Sequence, residues 1–191
     1  MVKVCLFVAD GSDEIEFSAP YGIFTRANTP IDTVYVGDNK DRLVNMSRGI
    51  QLYAKRSLSE FQSTEEFVKE YDVAIIPGGW QGSLTLSGNK KVQEIVKEMY
   101  NKPGKWVAMI CAGSLTAKTS GLGVKTLTSH PCITKDLQEA GYEWKNESVV
   151  VTDNLITSQG PGTAMLFALK IAEQVLDKDT YQKVYDSLEM P

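Results

Sequence analysis

Residues 105–121 read KWVAMICAGSLTAKTSG. Val107, Ala108, Met109 and Ile110 make an unbroken apolar run that ends on Cys111, and Ala112, Gly113 and Ser114 follow at once. An apolar run of that length, with no polar alternation, predicts a strand buried on both faces. The small residues from Gly113 to Ser120, closed by Gly121, predict a short helix with a glycine stop. A strand that passes through a tight turn into a helix has the shape of a nucleophile elbow. Cys111 stands at the turn, and two readings compete for it. Free cysteine is among the most buried residue types, so a strand-end cysteine is commonly core filler. Against that, Ala112 and Gly113 permit a sharp turn and a close approach of substrate. A helix N-terminus also offers N–H groups that stabilise a thiolate. The context favours a reactive Cys111. Cys5, mid-strand, and Cys132, after Pro131, read as structural by the same test.

Similar apolar runs recur at VKVCLFVA (2–9), IDTVYVG (31–37) and DVAIIPGG (72–79). VVVTDNLITS (149–158) predicts two short strands around a Thr-Asp-Asn turn, and VNMSRGIQLYA (44–54) a small hairpin hinged near Gly49. Helical patterns lie between them. Ser12 or Asp13 caps a helix from about 14 to 28, and Asn89 caps one whose Val92, Ile95, Val96 and Met99 form an i, i+3, i+4, i+7 stripe. ITKDLQEAG, GTAMLFALKIAEQVLD and a segment at about 179–188 supply three more. Strands that alternate with helices predict an α/β doubly wound, mostly parallel sheet with helices on both faces. The 191 residues suit one domain over 1–191. Sites in such sheets lie at the carboxyl ends of strands. Four segments fall there: ADGSDEIE, PGGWQGS, CAGS and SQGPGT.

Composition narrows the function. The net charge is −4 with no basic block, which argues against nucleic acid. The apolar runs are too short to span a bilayer, and the N-terminus lacks a signal-peptide pattern. The expectation is a cytoplasmic protein, with the nucleus as a further location. Three widely spaced cysteines argue against a disulfide framework or a zinc site. No G-x-x-x-x-G-K-[ST] and no G-x-G-x-x-G after the first strand is present, so neither phosphate-loop nor dinucleotide motif is read.

The acidic cluster Asp13, Glu14 and Glu16 opens a helix, where carboxylates favour the dipole. That accounts for Asp13 and Glu14. Glu16 lies between Ile15 and Phe17, and a carboxyl in apolar surroundings has a raised pKa and can shuttle a proton. Glycines 78 and 79 either make a turn or aim N–H groups at an oxyanion. His130, the sole histidine, is either a solvated capping residue or a group folded back toward Cys111.

The segments ADGSDEIEFSAPYGIFTRA, YDVAIIPGGWQG, VAMICAGSLTAKTSGLGVKTLTSHP and LITSQGPGTAMLFALKIAE occur here in order. This resembles the superfamily that joins the Parkinson-disease-associated deglycase to the PfpI proteases (DJ-1/PfpI), and within it the DJ-1 branch. The resemblance implies a flavodoxin-like α/β sandwich and a homodimer. It implies a nucleophilic Cys111, a buried protonated Glu16, backbone donors at Gly79 and Ala112, and a nearby His130. It further implies substrate contacts at Gly78, Gly160 and Pro161, within the 160–163 loop at the pocket edge. In the protease branch a histidine follows the cysteine, where this chain has Ala112, so protease chemistry is disfavoured. The implied activity is a glutathione-independent glyoxalase converting methylglyoxal to lactate, with no nicotinamide, metal or glutathione. The alternative is a redox-sensing stress protein in which Cys111 oxidises to sulfinic acid; deglycase and chaperone roles stand behind it. The branch's peripheral redox cysteine, near IQLYA, has no counterpart here. Tyr21, Trp80 and Met165 are candidate pocket liners.

Overall fold

The computed structural model describes residues 2–123 and 126–190. Val124 and Lys125, inside one of the four motifs, lie outside the described residues. The strands are β1 (Val4–Val8), β2 (Ile31–Tyr35), β3 (Leu43–Asn45), β4 (Gln51–Tyr53), β5 (Arg56–Ser57), β6 (Val73–Ile76), β7 (Trp106–Ile110), β8 (Thr126–Leu127), β9 (Glu143–Trp144), β10 (Val149–Thr152) and β11 (Leu155–Ser158). The helices are α1 (Glu14–Arg26), α2 (Thr64–Glu70), α3 (Trp80–Gly88), α4 (Lys90–Tyr100), α5 (Leu115–Thr119), α6 (Thr134–Glu139), α7 (Ala164–Val175) and α8 (Lys178–Ser187). Seven strands form the main sheet in the order β10-β11-β7-β6-β1-β2-β5. Every pair in it is parallel except β10 with β11. β3 with β4 is the hairpin hinged at Gly49, where φ is +97°.

The buried strands sort their side chains by alternation. Cys5, Phe7, Ala74, Ile76, Val107 and Met109 face one layer, against Phe67 and Val68 of α2 and Val92, Ile95, Val96 and Met99 of α4. Val4, Leu6, Val8, Val73, Ile75, Ala108 and Ile110 face the other, against α1 and α7. Each buried Val, Leu, Ile, Phe or Met among them contributes roughly 1.5–3 kcal/mol of apolar burial. The flavodoxin-like α/β sandwich expected from the sequence is the fold. Asn89 caps α4 by accepting from Lys91 N–H at 3.0 Å and Val92 N–H at 3.1 Å, an interaction worth about 1 kcal/mol.

Two helices escaped the sequence reading. α2 is short, and its cap is Ser63, which accepts from Glu66 N–H. α3 occupies PGGWQGS, which reads as a glycine loop, but only Pro77–Gly79 lie outside the helix. Gly82 and Ser83 are buried in α3, and a β-carbon on Gly82 would come within 2.7 Å of Ser12 N. The glycine content therefore serves close helix–loop packing rather than a flexible loop. The chain order reverses between β1 and β6, so the loops after β1, β6 and β7 meet at the sheet's carboxyl edge. Among the described residues, no helix is long and apolar enough to cross a membrane.

Candidate active site

The elbow forms as the sequence predicts. Ile110 ends β7 in extended geometry, and Cys111 takes a φ of +61°. A non-glycine residue in that region is strained, and such strain concentrates at functional sites. Cys111–Ser114 then make one tight 3-10 turn that leads into α5. The helix thus starts as a 3-10 turn at Cys111 instead of an α-helix at Gly113. Below the elbow, Ser114 Oγ donates to Thr128 O at 3.3 Å, and Thr128 N–H donates to Thr157 Oγ1 at 2.9 Å.

Glu16 comes from the first turn of α1. Asp13 caps that turn by accepting from Ile15 N–H at 2.9 Å and Glu16 N–H at 3.2 Å. Asp13 N–H donates to Gly78 O at 3.0 Å, while Gly78 N–H donates to Glu16 Oε2 at 2.7 Å. The two loops are therefore cross-braced by a reciprocal pair of bonds. Gly78 has no room for a side chain: a β-carbon would lie 2.4 Å from Glu16 Oε2, 2.5 Å from Cys111 Cβ and 3.0 Å from Cys111 Sγ. Gly79, at φ +83°, turns the chain into α3 and presents its N–H to the Cys111 sulfur, as does Ala112.

Glu16 is 0% exposed. Burial first, then the charge of Asp13, pushes its carboxyl up to about 7. Burial first, then the Glu16 carboxylate, pushes the Cys111 thiol up to about 12, opposed by the Ala112 and Gly79 N–H groups. The expected thiolate stabilisation by backbone N–H groups is present, but burial and an ionised Glu16 outweigh it. Thiol and carboxyl are hydrogen-bonding neighbours and titrate as a coupled pair. The thiolate form goes with a neutral Glu16. Glu16 Oε1 is buried with no hydrogen-bond partner among the described residues.

These groups open onto a cleft of about 550 Å³. His130 lines it, exposed at the cap of the Pro131–Ile133 turn. Its Nδ1 accepts from Cys132 N–H at 3.2 Å, so Nε2 carries the proton in the neutral ring. Both readings of His130 hold together: it caps a turn and also faces the cleft. Pro161 lines the cleft, whereas Gly160 lines an adjoining hollow with His130 and Pro161, and a β-carbon on it would be 3.6 Å from His130 Cδ2 and 3.9 Å from Glu16 Oε1. Gly78 likewise spends its N–H on Glu16 and is a cradle rather than a lining residue. Of the three candidate liners only Trp80 lines the cleft. Tyr21 stacks on Phe17, with centroids 6.2 Å apart, and Met165 packs against the α1/α7 core.

The outer rim is largely new. Met46, Ser47 and Arg48, at the tip of the β3–β4 hairpin, line the cleft. Glu14 holds that tip: its carboxylate accepts from Ser47 Oγ at 2.8 Å and Arg48 N–H at 2.6 Å. Burial pushes the Glu14 pKa up, but these bonds outweigh it and hold the carboxyl below its usual range. Helix-dipole reasoning alone does not anticipate this clamp, which spans more than thirty residues of chain. Cys132 is also corrected. It is exposed and lines the cleft, because its neighbour Ile133 takes the buried position in the turn. Among the described residues no cluster of three or more His, Cys, Asp or Glu is placed to hold a metal ion.

The model of the DJ-1/PfpI family matches residues 2–174, a stretch that contains every residue of this cleft. The chain belongs to the DJ-1/PfpI family. It is 63% identical over 191 residues to the glutathione-independent glyoxalase DJ-1 of Schizosaccharomyces pombe, covering all of both chains. The solved structure of that S. pombe DJ-1 matches with a TM-score of 0.98, again over all of both chains. The glutathione-independent glyoxalase DJR-1.2 of Caenorhabditis elegans is 30% identical over 168 residues, 88% of this chain and 85% of that protein. Drosophila melanogaster DJ-1beta, as a solved structure, matches at 31% identity and TM-score 0.88 over all of both chains. In this DJ-1/PfpI chain the cysteine elbow, the buried carboxyl and the two backbone donors converge on one point of the cleft.

Proposed function

We propose that this chain is a glutathione-independent glyoxalase that converts methylglyoxal to lactate. The observation that carries the reading is the Cys111–Glu16 pair: a thiol at a strained elbow, coupled to a buried carboxyl whose pKa is raised to about 7. The Cys111 thiolate attacks the aldehyde carbon and forms a hemithioacetal. Gly79 and Ala112 N–H groups hold the resulting oxygen, as oxyanion-hole donors do. Glu16, neutral beside the thiolate, gives its proton to that oxygen; the resulting carboxylate then takes the proton from that carbon and returns it to the neighbouring carbonyl carbon by way of an enediol. A carboxyl that titrates near neutrality is suited to both halves of that transfer. His130 donates from Nε2 to a substrate oxygen. Water then cleaves the lactoyl thioester and frees Cys111. All redox change occurs within the substrate, so the thiol the reaction needs is the protein's own. The test is steady-state turnover of methylglyoxal without added thiol, by wild type and by Cys111→Ser; turnover retained by the serine variant sinks the assignment.

One observation also favours the redox reading. Cys111 is half-buried and open to the cleft, while Cys5 is fully buried and its thiol is pushed well up by burial. Peroxide should then oxidise Cys111 and spare Cys5, which peptide mass mapping checks.

We further propose a homodimer in the cytoplasm. Ile15, Ile50 and Tyr53 are 57%, 56% and 71% exposed. Glu14, next to Ile15, also accepts from Ile50 N–H at 3.5 Å, which brings the start of α1 against the hairpin that carries Ile50 and Tyr53. A second copy covers that apolar face, and Tyr53→Glu should shift the protein to a monomer in light-scattering chromatography. A dimer left intact by that change argues for another interface.

A further inference from the structure

The cleft contains a second thiol that the proposed chemistry does not use. Cys132 is exposed on the Pro131–Ile133 turn and lines the same cleft as Cys111. All three cysteines are free. Nothing in the packing asks for a cysteine at this position, since Ile133 supplies the buried contact of the turn. Cys111 is enclosed by Glu16, Gly78 and the N–H groups of Gly79 and Ala112, so a reactant reaches its sulfur from the cleft, the side on which Cys132 stands. The Glu16 carboxyl packs beside Cys111 across Gly78, and its Oε1 is buried with no hydrogen-bond partner among the described residues.

We propose that Cys132 is the resolving thiol for oxidised Cys111, making a reversible Cys111–Cys132 disulfide in place of a terminal sulfinic acid. The proposal rests on Cys111 being the reactive thiol. In the first step the Cys111 thiolate attacks a peroxide oxygen. The S–O bond forms, the O–O bond breaks, and the departing hydroxide takes a proton and leaves as water. Cys111 is now a sulfenic acid, oxidised by two electrons, and the peroxide is reduced. In the second step the Cys132 sulfur attacks the Cys111 sulfur. The S–S bond forms, the S–O bond breaks, and the leaving hydroxide takes the Cys132 proton as a second water. Two thiols and one peroxide give one disulfide and two waters. A second thiol that reaches a sulfenic acid across a shared cleft diverts it from further oxidation.

Hydrogen peroxide is the probe. Wild-type protein, treated and quenched, should become about 2 Da lighter and yield one linked peptide pair containing Cys111 and Cys132. Dithiothreitol should then return most of its starting methylglyoxal turnover. Cys132→Ser, normalised to its own untreated turnover and checked for fold by circular dichroism, should instead become about 32 Da heavier on Cys111. It should recover less than about a tenth of its turnover, because sulfinic acid resists thiol reduction. The proposal is overturned if both proteins acquire the heavier product at the same rate, or if the linked peptide contains Cys5. The assignment of function fails separately, through turnover retained by Cys111→Ser. If that variant is inactive while wild type proceeds straight to the heavier product, only the role of Cys132 falls.

Discussion

On its inner side the cleft is closed by Gly79, Cys111, Ala112 and Glu16, all set at the carboxyl ends of β1, β6 and β7. On its outer side it is closed by Met46, Ser47, Arg48, His130 and Cys132, carried by a hairpin tip and a single turn. The inner wall is buried and braced through backbone hydrogen bonds between loops. The rim is more exposed; the Glu14 carboxylate and a bond from Ser47 N–H to Ser12 O at 2.9 Å hold the hairpin, and the His130 ring holds the turn. The difference separates two tasks. Reacting groups need fixed positions and a dry setting, whereas a rim needs access to solvent and substrate.

That division sets the order of expected effects. Cys111→Ser or Glu16→Gln should lower kcat/KM for methylglyoxal by at least about 10²–10³-fold, the scale of a lost nucleophile or general acid–base group. A smaller loss breaks the inner wall's claim to the chemistry. Next comes the pH dependence of stability. An unfolded glutamate ionises near 4.5 and Glu16 in the folded protein near 7. Between those values the unfolded chain gives up its proton first, so stability contributed by the neutral carboxyl is full below about 4.5. It is lost as pH rises through about 7, a total of about 3 kcal/mol. Urea titrations at several pH values should show this fall in wild type and its absence in Glu16→Gln.

Gly78→Ala puts a methyl group against both reacting side chains, and about 1–3 kcal/mol of overpacking should appear in the same titrations with a loss of turnover. Glu14→Gln should cost about 1–2 kcal/mol, as charged hydrogen bonds to the hairpin weaken, and should raise KM more than it lowers kcat. His130→Ala should cost about one hydrogen bond, roughly ten-fold in kcat/KM. A loss as large as that of Glu16→Gln would move His130 from the rim into the core of the chemistry.

Legibility in the sequence follows the same division. The inner wall is local: an apolar strand ends on Cys111, small residues follow, and Glu16 falls in the first turn of a capped helix. Each feature is written within a dozen residues, and the four ordered motifs of the family lie on the same segments. The rim depends on contacts across long stretches of chain. Nothing around Glu14 says that it will bind Ser47 and Arg48, since that bond exists only once the hairpin folds over α1. Cys132 is ambiguous for a different reason. Either it or Ile133 could turn inward, and the direction of a single 3-10 turn decides it. α3 was hidden by its glycines, which look like loop signals and serve close packing.

The reciprocal pair, Asp13 N–H to Gly78 O and Gly78 N–H to Glu16 Oε2, ties the acid's loop to the donor's loop as one rigid frame. Neither loop can be lengthened or shortened on its own without losing both bonds. Among the described residues, no hydrogen bond joins the rim segments 46–48 and 130–132 to each other. The hairpin tip at 46–48 is therefore the part of the wall that can be exchanged, in the laboratory or across descendants, while Cys111, Glu16 and His130 keep their places.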